Sequence, residues 1–298
     1  MTKQDEEAKR EILRSLRGPG SSAHLAHNLA LARKVEGIGE KNKLLSVLMR
    51  TFLISFPDFP ILDLPNSPKI PFGSAFALDY QGRQYLITAS HVIKFDGKSP
   101  GDKGTIHIQM NNEPNPLEVT VVGRGDASKT ESDIAVLAAN IHLPIPDPFS
   151  EESFEPSIDI GWGDRAYFCG FPYGQYIKTD VIEGHPLAMT KGAVLSGMRT
   201  ESGTLAERKK GLFILDGYNN GGFSGGPAVF QLGEDQNVDF QVFGIVSSYQ
   251  LNKATVMHED AATGLITMEN AGLIECPSIM RAVDMIEANP IGFEISTP

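Results

Sequence analysis

The chain has 298 residues, of which 41% are hydrophobic and 21% are charged, and its formal net charge is −11. This composition is sufficient for a folded core and is typical of one large domain or two modest ones. Proteins that bind nucleic acids through phosphate contacts carry a basic surface, so an acidic chain of this kind is expected to have no nucleic-acid partner.

The cysteine content and the N-terminus indicate the compartment. Cys169 and Cys276 are too few for the disulfide framework of a small secreted protein, which predicts a reducing compartment. Residues 1–7 lack the apolar run of a signal peptide. The most apolar early stretch, Leu44–Phe56, has 13 residues including Arg50, which makes it too short and too charged to span a bilayer. We therefore predict a cytoplasmic protein without a membrane partner.

Residues 1–70 are predicted to form a helical N-terminal extension that ends in a proline-rich connector. Apolar residues at helical spacing indicate one helix around Ile12–Leu16 and another from Leu44 to about Ile54. Between them, Ser21 or Ser22 could cap a helix that continues to about Val35. Five prolines between positions 57 and 71 then interrupt the helical pattern. Such an extension could pack on the rest of the chain or dock a regulatory protein partner.

Residues 71–298 are predicted to form a mainly β domain. Short apolar runs alternate with turn residues, which is the pattern of an all-β sandwich or barrel. Near the end, Ser278 could cap a C-terminal helix that places Ile279, Val283 and Ile286 on one face. The predicted strands are Ser74–Leu78, Gln84–Thr88, Thr105–Gln109, Leu117–Val122, Asp133–Ala138, Arg165–Gly170, Leu212–Leu215, Pro227–Phe230 and Phe240–Ser247.

One serine lies among four glycines in the segment Gly221–Pro227. This composition disfavours a helix or a regular strand and favours a tight turn whose N–H groups converge beside an exposed hydroxyl. A nucleophile with an oxyanion hole requires that geometry. Ser224 is therefore a candidate nucleophile, and a general base with an orienting carboxylate is expected elsewhere in the chain.

Two other segments could supply those groups. His91 lies three residues after the end of the predicted strand Gln84–Thr88, where small neighbours could leave its ring open to a cleft. Asp133 stands at the start of an apolar strand, with Asp126 as the alternative carboxylate. The chain order is histidine, aspartate, serine, which is one of three orders known for this set of groups.

These segments resemble the chymotrypsin/trypsin-fold serine peptidases, and most closely the bacterial trypsin-like branch that includes the HtrA and V8-type enzymes. The resemblance covers about residues 70–288. It implies two six-stranded antiparallel β-barrels with the active site between them. The segments that carry it are Phe72–Phe76, Leu86–Val92, Asp133–Leu137, Gly170–Pro172, Gly222–Pro227 and Gly244–Ser247.

The resemblance also implies a role for each candidate residue. His91 and Asp133 match the base and the orienting carboxylate of the first barrel, and Ser224 matches the nucleophile of the second. The backbone N–H groups of Gly222 and Ser224 match the oxyanion hole. No metal or cofactor is needed for this chemistry. His24 and His27 would supply only two metal ligands, which are too few for a metal site.

Substrate binding is implied at three further positions. Ser247 and Tyr249 match the edge strand that pairs with an extended substrate, and Tyr218 matches the floor of the specificity pocket. Because none of these is a carboxylate, we expect a small or medium apolar side chain before the cleaved bond rather than arginine or lysine. Tyr249 replaces a glycine of trypsin-like relatives and could narrow the pocket.

Phe223 is a second departure from the secreted relatives. Those enzymes carry at this position an aspartate that pairs with a freshly cut N-terminus, and a phenylalanine cannot form that ion pair. The sequence as a whole predicts a serine endopeptidase that acts through His91, Asp133 and Ser224. The alternative is a catalytically silent pseudo-protease that uses the same fold as a binding or regulatory module.

Overall fold

The computed structural model describes residues 43–56, 72–97, 99–110, 113–143, 145, 154–177, 186–200, 207, 209–232, 239–258 and 261–295. The first two predicted helices, the pair of histidines at 24 and 27, and the proline-rich connector lie outside these residues. In the described part, two antiparallel sheets pack against each other, with two short helices at their margins.

The first sheet closes into a six-stranded barrel. Its strands follow the order β14-β3-β2-β1-β4-β5-β6, and an additional pairing of β3 with β6 closes the ring. Helix α1 (Lys43–Met49) precedes this barrel. The strands are β1 (Thr51–Ser55), β2 (Phe72–Tyr80), β3 (Arg83–Thr88), β4 (Lys103–Met110), β5 (Glu113–Arg124), β6 (Ala135–Ala139) and β14 (Phe293–Glu294).

The second sheet has seven strands in the order β11-β10-β7-β8-β9-β13-β12. Helix α2 (Met280–Ala288) follows it and packs on the first barrel. The strands are β7 (Arg165–Gly170), β8 (Met189–Arg199), β9 (Leu212–Asp216), β10 (Pro227–Leu232), β11 (Asp239–Ile245), β12 (Ser248–His258) and β13 (Ala261–Pro277).

The mainly β fold with a C-terminal helix is confirmed, but the expected closure of the second barrel is wrong. Among the described strands no ladder joins β11 to β12, and the sheet is a half-barrel. An isolated bridge between Gly244 and Ser278 brings its two ends near each other. β12 and β13 continue past the barrel as a hairpin, so the chain at this edge is not used to complete the ring.

Alternation of side chains along the strands produces separate cores. Leu86 and Leu137 face each other inside the first barrel, whereas Ile87 and Val136, one residue along, lie on its outer face. Because successive strand residues point to opposite faces, β6 can be buried on both sides. The outer face packs against Val229 and other residues of the second sheet. The cleft between the sheets therefore rests on a continuous apolar contact.

The predicted third helix is too long, and the segment Thr51–Ser55 of the predicted extension is a strand of the first barrel. The helix ends at Met49, and Thr51–Ser55 is the strand β1, paired with both β2 and β4. Leu53 and Ile54 are both buried, so the strand is covered on two faces. Burial between two partner strands outweighs the local helical spacing of the apolar residues.

The two cysteines are buried and not disulfide-bonded. Burial raises the pKa of the Cys169 thiol to about 12, and it also raises the pKa of Cys276. Both side chains are therefore neutral, poorly reactive thiols near pH 7 and act as small apolar residues in the core. Across the described part of the chain, no helix combines the length and the apolar character needed to cross a membrane.

Candidate active site

His91 and Asp133 are held together by two hydrogen bonds. His91 lies in the 3₁₀ turn Ser90–Val92 after β3, and Asp133 follows the 3₁₀ turn Thr130–Ser132 before β6. Asp133 Oδ2 lies 2.6 Å from His91 Nδ1, and Oδ1 accepts the backbone N–H of His91 at 2.8 Å. A carboxylate accepts only, so we assign the ring proton to Nδ1. This assignment leaves Nε2 as the nitrogen able to accept a proton.

The burial of this pair is uneven. The side chain of Asp133 is 3% exposed, whereas that of His91 is 40% exposed. The carboxylate is thus shielded from water while the ring reaches solvent. Asp126, the alternative carboxylate, instead accepts two hydrogen bonds from Ser128 on the surface, and these lower its pKa. The structure therefore places Asp133, not Asp126, beside His91.

Ser247 links Asp133 to the second sheet. Its Oγ donates to Asp133 Oδ2 at 2.5 Å, and its carbonyl accepts a hydrogen bond from Ser224 Oγ at 3.2 Å. Ser224, Ser247, Asp133 and His91 thus lie in one connected set of contacts. The sequence analysis places Ser247 only at the substrate edge. Its contact with Asp133 spans 114 positions, and no local pattern indicates it.

Ser224 and His91 are not directly hydrogen-bonded in this conformation. Among the described residues, the hydroxyl of Ser224 bonds to the Ser247 carbonyl instead. Bonds of this kind are often long or absent in ligand-free sites and form when substrate binds. Rotation about the Cα–Cβ bond of the serine is the movement needed to redirect its Oγ.

Glycines are required on the carboxyl side of Ser224. Gly225 has φ +87°, and a Cβ there would lie 2.0 Å from the Ser74 carbonyl. A Cβ on Gly226 would lie 1.9 Å from the Cys169 carbonyl. Neither backbone atom can move aside without disturbing a strand. The glycine pattern of the sequence therefore reflects close approach of the nucleophile turn to both sheets.

Ser74 on β2 fastens this turn from the opposite sheet. Its backbone N–H donates to the Ser224 carbonyl at 2.8 Å, and its Oγ donates to the Gly222 carbonyl at 2.7 Å. The same Oγ accepts the N–H of Phe171 at 3.1 Å. The nucleophile turn is therefore built on the first barrel as well as on the second sheet.

The orientation of the Gly222 N–H is fixed by its neighbouring peptide. Tyr173 N–H donates to the Gly221 carbonyl at 2.8 Å. In a planar trans peptide the carbonyl and the following N–H point in opposite directions, so the Gly222 N–H points away from Tyr173. Gly222 has φ +103°, as the third residue of a type II turn requires. Phe223 N–H closes that turn on the Asn220 carbonyl at 3.4 Å.

Two N–H groups beside the serine are available to a ligand. Within the part of the chain that the structure describes, neither the Gly222 N–H nor the Ser224 N–H has a hydrogen-bond acceptor. Unpaired donors next to a hydroxyl can stabilise a negative oxygen when they point at it. These two residues are the ones that sequence resemblance assigns to the oxyanion hole.

Lys191 on β8 supports the segment before Ser224. Its Nζ donates to the Tyr218 carbonyl at 2.9 Å and to Asn220 Oδ1 at 2.5 Å. Asn220 in turn donates to the Tyr173 hydroxyl at 3.1 Å. Partial burial lowers the pKa of Lys191. Tyr218 itself is 59% exposed with its ring near Lys191 Nζ, which does not fit the floor of an enclosed pocket. A role of Tyr218 in substrate binding stays a prediction.

Arg124 is a supporting residue that the sequence analysis does not single out. Its guanidinium donates to the carbonyls of Ser90, Ile93 and Gly97 and to Ser90 Oγ, at distances of 2.6 to 3.0 Å. It therefore holds the segment that carries His91. Burial lowers the pKa of Arg124, and the charge of Asp133 opposes this shift. An arginine at the end of an otherwise apolar strand is the only sequence signal.

Phe223 forms the base of the nucleophile turn. It is fully buried, and its ring packs edge to face on Phe168 with centroids 4.9 Å apart. We expect Phe223→Ala to lower the free energy of unfolding by about 3–5 kcal/mol, because it opens a cavity under the turn. Chemical denaturation measures this change. The control Phe223→Leu should cost clearly less, and an equal loss in both variants would contradict the packing role.

The comparisons with known proteins place this geometry in a family. Residues 73–234 match the family model described as a trypsin-like peptidase domain, which is more than half of the chain. None of the curated proteins shows recognisable sequence similarity to it. The match includes His91, Asp133 and Ser224 and both sides of the cleft.

Solved structures with a similar fold are distant in sequence. The HtrA-type protease AlgW with a decapeptide is 18% identical, with 84% of this chain and 66% of that chain covered and a TM-score of 0.46. The present chain thus spans slightly under two thirds of AlgW. The inactive form of the Rv3671c protease of M. tuberculosis is 15% identical, with coverages of 88% and 96% and a TM-score of 0.46. The MamO protease domain of Magnetospirillum magneticum in its apo form is 13% identical, with coverages of 80% and 96% and a TM-score of 0.42.

A match over more than half of the sequence identifies the family. The chain belongs to the trypsin-like peptidase domain family.

Proposed function

We propose that this protein is a serine endopeptidase that cleaves peptide bonds through an acyl-enzyme intermediate. The observation that carries the proposal is the connected set of Ser224, Ser247, Asp133 and His91 beside two unpaired N–H groups. A nucleophile, a base with its orienting carboxylate, and an anion-binding position are the parts that acyl transfer needs.

The chemical steps follow from the atoms that face the cleft. Ser224 Oγ attacks the substrate carbonyl while His91 Nε2 takes its proton. Asp133 remains ionised and holds the imidazolium through Nδ1–H. The oxygen of the tetrahedral intermediate accepts hydrogen bonds from the N–H groups of Gly222 and Ser224. His91 then returns the proton to the leaving amine, and water releases the acyl group by the same steps.

The substrate is proposed to be an extended polypeptide. β12 is the outermost strand of its sheet, so its backbone can pair with an added strand. Ser247 and Tyr249 lie at the end of this edge nearest Ser224. We propose a small or medium apolar residue before the cleaved bond, because neither Ser247 nor Tyr249 is a carboxylate that could hold a basic side chain.

A pseudo-protease is the second candidate. The observation that favours it is the hydrogen bond of the Ser224 hydroxyl to the Ser247 carbonyl, which turns the hydroxyl away from His91. A protein of this kind would bind peptides without cleaving them. It would bind the same peptides equally well after Ser224→Ala, whereas an enzyme would lose all turnover.

Labelling with a fluorophosphonate probe tests the proposal directly. We expect the folded wild-type chain to be labelled on Ser224, because the probe reacts only with a serine whose hydroxyl is activated. Peptide mass spectrometry locates the adduct, and Ser224→Ala and Ser128→Ala are the matched variants. Loss of label in the first but not the second supports the proposal. An unlabelled wild-type protein that still binds peptide would favour the pseudo-protease.

A further inference from the structure

The hairpin formed by β12 and β13 projects beyond the sheet. β13 pairs with β9 only over residues 273–277, whereas residues 251–255 and 266–270 pair with each other. The residues of these two segments are exposed or half-buried. A two-stranded hairpin in solvent gains little stability on its own. Packing in the core of the fold therefore does not explain why the hairpin is this long.

One face of this hairpin carries three large apolar side chains. Lys253 lies opposite Met268, and Thr255 lies opposite Ile266, two residues further along. Leu251 lies opposite Asn270, two residues before the pair of Lys253 and Met268. Directly opposed residues share a face, and so do residues two apart. Leu251, Met268 and Ile266 thus line one face, and they are 49%, 51% and 66% exposed.

This apolar face is turned toward the nucleophile loop. Asn270 belongs to the same face, and its Nδ2 donates to the Asn219 carbonyl at 2.7 Å. Asn219 lies five residues before Ser224 and is itself buried. The opposite face carries Asn252 and Glu269. The apolar side therefore meets the segment that leads to Ser224.

The direction of an added strand follows from the sheet. Every ladder in this sheet is antiparallel, and β12 runs outward from Ser248, next to Ser247, to the hairpin tip. A polypeptide that continued the antiparallel order on the free edge of β12 would run from the tip toward Ser224. The residues that precede the cleaved bond would then lie along the hairpin.

We propose that the apolar hairpin face is an extended substrate-binding site for residues upstream of the cleaved bond. This inference rests on the proposed peptidase function. If the residue before the bond pairs with Ser247 and each residue further upstream pairs with the next residue of β12, Leu251 to Thr255 lie opposite the fifth to about the ninth upstream residue. The preferred substrate is an extended polypeptide with apolar side chains at alternate positions in that region.

Peptides of two lengths test the proposal. Both carry the same cleaved sequence, one with three upstream residues and one with nine that alternate leucine and serine. We expect the longer peptide to have a kcat/KM about 10-fold higher or more, because apolar side chains are buried on binding. The triple variant Leu251→Ser, Met268→Ser, Ile266→Ser should lose this gain and cleave the short peptide as the wild type does.

Two controls distinguish the explanations. Asn252→Ser with Thr267→Ser alters the opposite face and should keep the gain with length. Equal rates for both peptides in the wild type, or a gain that persists in the triple variant, would overturn the proposal. So would a triple variant that changes only self-association in sedimentation, since the face would then bind a second copy of the chain.

A protein without peptidase activity would give a result that differs from the failure of the hairpin proposal. If neither peptide is cleaved, the proposed activity is wrong, and binding to the Ser224→Ala protein still tests the surface by fluorescence anisotropy. Tighter binding of the longer peptide, lost in the triple variant, supports the hairpin site. Equal binding of both peptides overturns it. Circular dichroism verifies that the triple variant is folded.

Discussion

Replacing His91 by alanine is expected to lower kcat by about 10⁶-fold, close to the effect of Ser224→Ala. The reason is that His91 Nε2 takes the serine proton in the proposed mechanism, while Asp133 contacts the other ring nitrogen. Initial rates on a short peptide, with active-site titration of the wild type, measure the change.

The double variant sharpens this test. Residues that act as one unit are strongly non-additive, so His91→Ala combined with Ser224→Ala should be no slower than either single variant. His142→Ala is the matched control, because His142 is exposed and contacts Gln84 and Phe293 outside the cleft. A loss of less than 100-fold in His91→Ala would contradict its role as the base.

Asp133→Asn is expected to lower kcat by about 10⁴-fold while the fold is retained. Asp133 accepts from the His91 backbone, the His91 ring and Ser247 Oγ. An amide has a single acceptor oxygen, so its NH₂ group must face one of these donors. The histidine would then adopt the other tautomer and present a proton to Ser224 instead of a lone pair.

Asp126→Asn provides the comparison for this prediction. Asp126 lies on the surface and contacts Ser128, so kcat should stay within about twofold of the wild type. Thermal unfolding of both variants separates a loss of catalysis from a loss of fold. Similar kcat values for Asp133→Asn and the wild type would show that the carboxylate does not orient the histidine.

The sequence predicted what depends on local backbone chemistry. Gly225 and Gly226 have no room for a side chain, and this constraint is visible as a glycine pattern around Ser224. His91 and Asp133 follow a strand and precede one, respectively, so their positions could also be inferred locally. The segments that carry His91, Asp133 and Ser224 resemble those of a known peptidase family, and this resemblance is what predicts that the three residues form one site.

Long-range pairing accounts for what the sequence did not predict. The apolar residues of β1 have the spacing of a helix, but the segment is a strand because it pairs with β2 along one edge and with β4 along the other. Arg124 contacts carbonyls of the His91 segment about 30 positions away. Every residue has a backbone carbonyl, so the residue types give no sign of such a contact. The resemblance implies a pocket-floor position for Tyr218, whereas its carbonyl accepts a hydrogen bond from Lys191 and its side chain is mostly exposed.

The contacts of Ser74 join the nucleophile turn to a strand that is synthesised much earlier. Thr88 Oγ1 donates to the Ser74 carbonyl at 2.7 Å, while Ser74 itself holds the carbonyls of Gly222 and Ser224. The first half of the chain therefore acts as a template on which the last half shapes its reactive turn. During synthesis from the N-terminus, the template is complete well before the serine emerges. In the proposed peptidase, the nucleophile turn gains its final geometry only when the two halves meet, so a nascent or partly folded chain lacks a complete active site.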